Sequence, residues 1–374
     1  MPQPTDPYED DLDDLDDLPP AQPVHYAEQS LLGALLLEPQ RLADIGDLDA
    51  GQFGNHAHGA LFQAMRTVPP PAPETHRSDP TWLNTVLDAA RPHAPGLTAS
   101  YLHTLIQVCP WPRHAPTYAR MIRADHARRT LLMHAERLAQ TATDTTLPNP
   151  AASTLTQAET LGQFLDTLAG QFAPHPGSLP RTLVPDNSAG HSSEEALDEE
   201  RLLLATATAH PAELKNMRWL QPGDFTLPLH ATVWQCLTTL VHNGEPVDPV
   251  TVLWEAQHRG LLTDGPDPGD LIALVSAPAG SPEYWGERVL QRALLARACG
   301  VGTRIAAYAH DPANTPHQLI TGSRRALADL TSLRTRWQHS TTPTPPAPRA
   351  PRSPAVSRAG PPPRATPARA RALR

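Results

Sequence analysis

One stretch of this chain occurs twice. Residues 53–65 read FGNHAHGALFQAM, and residues 225–237 read FTLPLHATVWQCL. Phe53, His58 and Gln63 meet Phe225, His230 and Gln235 at a constant offset of 172. Leu61, Phe62 and Met65 meet Val233, Trp234 and Leu237, apolar for apolar. The same offset holds upstream without a gap. Glu28, Leu31, Leu32, Pro39, Leu42, Ile45, Leu48 and Gly51 meet Glu200, Leu203, Leu204, Pro211, Leu214, Met217, Leu220 and Gly223. Chance rarely keeps apolar spacing over about forty positions, so one small domain is duplicated inside the chain.

The spacing within each copy is helical. Leu31, Leu32, Leu35 and Leu36 make one apolar face over 24–37, and Pro39 ends it. A short turn covers Arg41 to Gly46, and a helix follows Phe53 from about His56 to Val68. The proline-rich 69–73 is too rich in rings to be helical. Asp79-Pro80 supplies a cap and a first-turn proline, and Asp248-Pro249 repeats it. Leu102, Leu105 and Ile106 recur as Leu271, Leu274 and Val275. Long helices over 116–141 and 151–172 form a hairpin, matched by 282–309 and 316–336. Helices are also expected at 194–208, 211–218 and 229–242. Nothing alternates with period two for long enough to make a strand, so the fold class is all-α: two similar helical-bundle domains, each a small globule plus a long helical hairpin.

The expected boundaries are 24–172 for copy 1, 173–193 for a linker and 194–337 for copy 2. Residues 1–23 hold DDLDDLDDL, where like charges repel, and read as a disordered acidic tail. Leu12, Leu15 and Leu18 leave open a short acidic contact helix there. Residues 338–374 are mostly Pro, Ala, Arg, Thr and Ser, and read as a second disordered tail.

Charge is polarised. Residues 1–20 carry eight acids and no base, and residues 340–374 carry seven arginines and no acid. The part between is net acidic, which is not the surface of a folded body that grips phosphates. Cys109, Cys236 and Cys299 lack metal-ligand spacing and fit a reducing cytosol. No signal peptide opens the chain and no apolar run spans a bilayer, so a cytoplasmic location is expected.

The series AEQSLLGALLLEP, RLADIGDLDAGQF, HGALFQAM and TYARMIRADHARRTLL resembles the N-terminal domain of DnaB-type replicative helicases. The second copy resembles it with more drift: Gly33 becomes Ala205 and Gln29 becomes Arg201, while HNGEPVDPVTVLWEAQHRGLL is the more family-like segment. The resemblance implies a helical globule followed by a hairpin, pairing through hairpins into a collar, and binding of primase or a helicase loader by that collar. It implies no nucleotide hydrolysis by the domain. The motor of such a helicase needs GxxxxGK[ST] to hold phosphates. Lys215 is the only lysine and follows no glycine-rich run. GVGTRI at 300–305 lies inside a helix, where small residues permit close helix packing.

Other candidate chemistry is thin. His56 and His58 are too few for a metal site, and Pro228 stands where His56 would repeat, so both histidines read as structural, with His58 and His230 bonding backbone near the phenylalanine loop. Glu194, Glu195, Asp198, Glu199 and Glu200 sit in the first turns of a helix, where the dipole favours them. Arg120, Arg123, Arg128, Arg129 and Arg137 either mark a phosphate-binding face or solvate a long helix. No catalytic residue, cofactor or metal ligand emerges.

The expected function is a non-catalytic interaction scaffold of DNA replication, with a helicase, primase or loader as partner. Tyr118, Ile122, Trp285, Leu290, Leu294, Val301, Ile305 and Tyr308 are the candidate interface, and Trp285 and Trp337 flank the second hairpin. An alternative is a nucleic-acid accessory factor using Arg349, Arg352, Arg358, Arg364, Arg369, Arg371 and Arg374. A third is a divergent subunit of an ATP-dependent helicase.

Overall fold

The computed structural model describes residues 22–172, 179–183, 193–263 and 265–341. Residues 1–21 and 342–374 of the two expected tails, and most of the expected linker, lie outside the described residues. Among those described, the regular elements are α-helices and short 3-10 turns, with no strand.

The first copy contains α1 (Pro23–Leu37), α2 (His56–Thr67), α3 (Pro73–Ser78), α4 (Thr81–Ala90), α5 (Ala99–Val108), α6 (Ala115–Thr143) and α7 (Pro150–Gln171). The second contains α8 (Glu194–Ala209), α9 (Pro228–Asn243), α10 (Pro249–His258), α11 (Pro268–Leu274), α12 (Pro282–His310) and α13 (Pro316–Thr341). Helix ends follow local chemistry. Asn55, Thr98, Asn149, Ser193 and Asp267 each cap the helix that follows with a side-chain oxygen. Gly244 closes α9 in the left-handed region, at φ 73°, where only glycine sits without strain.

Four local expectations need correction. The proline-rich segment is free of helix over 69–72 as expected, but its last residue, Pro73, stands at the first position of α3, where a missing N–H costs nothing. Pro80 lies just before α4 rather than inside it, with Asp79 accepting from Thr81 N–H at 2.9 Å. The expected helix at 211–218 is a 3-10 turn, Glu213–Asn216. Helix α13 runs past the expected end at 336 to Thr341, since Trp337 packs on the core of the second copy and Arg336 binds the Asp224 carboxylate.

Each globule has its own core. In the first, Leu31, Leu32, Leu35 and Leu36 of α1 meet Leu61, Phe62 and Met65 of α2, Val86 of α4, Leu105 of α5 and Ile122 of α6. In the second, Leu203 and Leu204 meet Val233, Trp234, Leu237, Val252, Leu271 and Val289. Full burial of each such side chain stabilises by about 1.5–3 kcal/mol relative to exposure. Gly33 allows α1 to press on α5, where a β-carbon would come within 2.1 Å of the Leu105 carbonyl oxygen.

The hairpins α6–α7 and α12–α13 build a third core between the copies. Leu131, Ala135, Leu138 and Ala142 face Ala298, Val301, Ile305 and Ala309, with Leu161, Leu165, Leu319, Ala326 and Leu330 closing it. Helices α6 and α12 are both 29 residues long and run antiparallel: Gly302 lies against Ala135 and Ala139, while Arg128 reaches Ala309 and Asp311. Ala135 and Gly302 are equivalent by repeat, so a local two-fold relation passes close to both.

Candidate interaction surface

The repeated glutamate and histidine meet in space. Glu28 and His58 are buried at 1% and 0% exposure, and Glu200 and His230 match them. His58 Nδ1 lies 2.7 Å from Glu28 Oε2, and His230 Nδ1 lies 2.6 Å from Glu200 Oε2. The other carboxylate oxygen accepts from the N–H just after the phenylalanine loop, Gly54 at 2.5 Å in one copy and Thr226 at 2.6 Å in the other. An ionised carboxylate can only accept, so Nδ1 carries the proton in both pairs. In the first copy Nε2 lies within hydrogen-bond distance of the Tyr101 hydroxyl, at 2.6 Å. The expectation that the histidines bond backbone is thus corrected: the glutamates bond it, and the histidines hold the glutamates. Burial works against ionisation of Glu200, but the His230 ring and the Thr226 N–H outweigh it and hold the carboxyl below its usual range.

His25 joins Glu28 and His58 in a group whose ligand atoms all lie within 4.8 Å of one another. Its ring stacks on that of His58, 5.3 Å between centroids. A metal would have to displace bonds that Glu28 and His58 already make, and the second copy keeps the pair with Leu197 in place of His25. The arrangement does structural work: it pins the loop that carries Phe53 or Phe225 over Phe62 or Trp234.

The eight residues expected to share one interface are divided among three cores. Val301, Ile305 and Tyr308 lie between the hairpins. Leu290 and Leu294 lie in the second globule, with Trp285 packed against it, and Ile122 and Tyr118 belong to the first. The reason is geometric. Helices α6 and α12 cross near Ala135 and Gly302, so their first halves are left against their own globules. Trp285 is not an exposed anchor either, since its Nε1–H donates to the Ala279 carbonyl at 2.6 Å. The exposed tryptophans are Trp111 at 56% and Trp254 at 61%. Burial period misses them, because one lies in a loop and the other on a short helix whose outward face is also apolar.

Several of the α6 arginines are spent on protein. Arg128 donates to the carbonyls of Ala309, Asp311, Pro312 and Asn314, closing the C-terminal end of α12 from the other copy. Arg123 bonds the Ile45 carbonyl, and Arg129 bonds Asp125 and the Gln52 carbonyl. Among the acids of α8, Glu199 receives Arg288 and Arg292 from α12. Arg349, Arg352, Arg358, Arg364, Arg369, Arg371 and Arg374 lie outside the described residues.

A groove of about 350 Å³ runs between α7 and α13 over Leu155, Ala158, Leu327 and Leu330. The charged groups on its rim neutralise one another, Arg324 with Asp166 and Arg334 with Glu159. Nothing in it combines a nucleophile with a base.

The model of the DnaB-like helicase N terminal domain matches residues 21–124 and again 192–285, together just over half of the chain. The chain belongs to this family. The matches end about a third of the way along α6 and in the first turn of α12, so they take in the two globules and leave most of each hairpin aside. The chain is 38% identical over 94 residues to "Replicative DNA helicase DnaB" of Mycobacterium leprae (strain TN), covering 24% of this chain and 15% of that protein. The chain therefore shares only a small part of that relative's length. No solved structure matches. The domain is present twice, and the Glu28–His58 and Glu200–His230 pairs lie inside the two matched stretches. No helix among the described residues is long and apolar enough to cross a membrane.

Proposed function

We propose that this chain is a non-catalytic scaffold of the DNA-replication machinery, working in the cytoplasm and binding a replicative helicase, its primase or its loader. The observation that carries the reading is the duplicated DnaB-like domain with its two hairpins already packed on each other. Fusion makes the pairing intramolecular, so it does not depend on protein concentration. The chain presents, ready-made, the paired unit that separate domains would have to meet to form. The family match is to the N-terminal domain and not to a nucleotide-driven motor, and no GxxxxGK[ST] occurs in the sequence.

The test is a pull-down of the host replicative helicase, primase and loader with the full chain, followed by isothermal titration with the protein retained. Retention of one of them at micromolar affinity or better supports the reading, and capture of none removes it. A clean ATPase assay, with and without single-stranded DNA, is expected to show no turnover above background.

A further inference from the structure

The two copies differ most in charge at one corner. Residues 89–124 contain four arginines and three histidines and no acid, with Arg91 and Arg123 paired to Asp88 and Asp47, whereas the matching 258–291 set Asp264, Asp267, Asp270, Glu283 and Glu287 against Arg259, Arg288 and His258. The loop between α5 and α6 is also two residues longer than its counterpart, reading from Ile106/Val275 to Tyr118/Trp285. The extra length presents Trp111, with Val108 beside it at 43% exposure. Leu37, also exposed, lies one turn beyond Gly33, which packs on Cys109 of the same loop. The Arg113 guanidinium lies 5.0 Å over the Trp111 ring. This is an apolar, aromatic surface on which Arg113 has no carboxylate partner in its own loop, and Glu38, beside Leu37, is paired with Arg41.

The same chain holds the complementary segment. Residues 9–18 read EDDLDDLDDL, with leucines at 12, 15 and 18. Helix α1 begins at Pro23 and ends beside the corner, about 21 Å away along its axis. The chain from Leu12 to Pro23 can span up to about 37 Å, so the segment reaches the surface. The other exposed tryptophan suits it less. Trp254 and Val250 lie on α10 with Glu245 and Asp248, which would repel the aspartates, while Glu255 is already paired with Arg259.

We propose that the acidic-leucine segment 9–18 docks in cis on the α5–α6 corner of the first copy. Its leucines cover Trp111 and Val108, and its aspartates lie by Arg113. The second copy has neither the longer loop nor the charge, so only one of the two domains is covered. The inference is independent of which replication protein the chain meets.

The experiment uses two full-length chains, the natural one and an opened one in which Asp10, Asp11, Asp13, Asp14, Asp16 and Asp17 are changed to Asn and Leu12 and Leu15 to Ser. A fluorescein-labelled peptide of residues 1–20 is titrated with each, and anisotropy is read. Expected is binding to the opened chain roughly tenfold tighter than to the natural chain, weakening with salt as exposed charges are screened. Adding Trp111→Ser or Arg113→Glu to the opened chain weakens it roughly tenfold; both side chains are exposed, and unchanged melting checks the fold. Trp254→Ser leaves binding as it was. Equal binding to the natural and opened chains, no binding to either, or loss through Trp254→Ser instead of Trp111→Ser overturns the proposal. So does a mass that doubles with concentration in the natural chain and not in the opened one, since the segment then lies on a second copy.

Discussion

Glu200 and His230 show how much one buried pair can hold. The carboxylate joins a ring on α9 to the N–H of Thr226 in the loop before it, and Glu28 does the same in the first copy. Removing one partner strands the other in an apolar core. Glu200→Ala and His230→Ala are each expected to cost about 3 kcal/mol, read as a lower midpoint in urea. The pH dependence follows from the depressed pKa of Glu200. A carboxyl lowered on folding contributes its full stability above its unfolded value and loses it as pH falls through the folded one. The stability gap between the natural chain and Glu200→Gln is therefore expected to be steady near neutrality and to shrink once pH drops below the usual glutamate value of 4.5. Midpoints at a series of pH values would measure it, and a gap that widens in acid would refute the assignment. Burial pushes the Cys236 thiol up to about 11. Iodoacetamide at pH 8 is expected to leave Cys236 unmodified in the native chain and to alkylate it in guanidinium, as mass spectrometry would report. Both members of each pair stand at the repeat offset in the sequence, but nothing in the sequence says that they touch.

The long helices depend on small residues where they cross. A β-carbon on Gly302 would lie 2.7 Å from the Ala135 carbonyl oxygen and 2.9 Å from the Ala139 nitrogen. Gly300, two residues before, has open space around it. The two glycines therefore separate packing from propensity. Gly302→Val is expected to destabilise by about 2 kcal/mol or more through overpacking. Gly300→Ala is expected to be neutral or to stabilise by up to about 1 kcal/mol, because a helical glycine is costly where nothing needs its smallness. Thermal melts of the two variants check this, and equal losses would show that the crossing is not held by Gly302. The repeated spacing made both hairpins legible, and the packing role of the 300–305 glycines could be read as well. Which of the two glycines faces the other helix could not, because it depends on the rotation of α12 about its axis.

The assembled molecule is two globules joined through one shared bundle. The halves are tied across it by the apolar core of the hairpins, the Arg128 cap on α12, the Arg324–Asp166 and Arg334–Glu159 pairs and the segment 179–183. That segment lies on the turn between α12 and α13, where Asn314 Oδ1 accepts from Arg181 N–H at 2.9 Å and Asp311 accepts from Thr182 at 2.6 Å. Pro180 fills the space over Gly322. Part of the expected linker is thus built into the second hairpin. Halves expressed apart are expected to associate, and the intact chain is expected to keep one mass from low to high concentration. Light scattering that finds no association between the halves would end the paired-domain reading.

The repeat, the all-helical class and the family are encoded in spacing along the chain, because amphipathic period and capping chemistry are local. A reader of the sequence alone can find the duplicated glutamates and histidines, the cap at Asp248 and the two hairpins. Tertiary packing decided the rest. It set α6 antiparallel to α12 and divided the eight expected interface residues among three cores. It packed half-buried Trp285 against the second core and left Trp111 and Trp254 exposed. These outcomes depend on where helices cross and which way each is rotated, and such long-range choices leave no periodic mark on the order of residues.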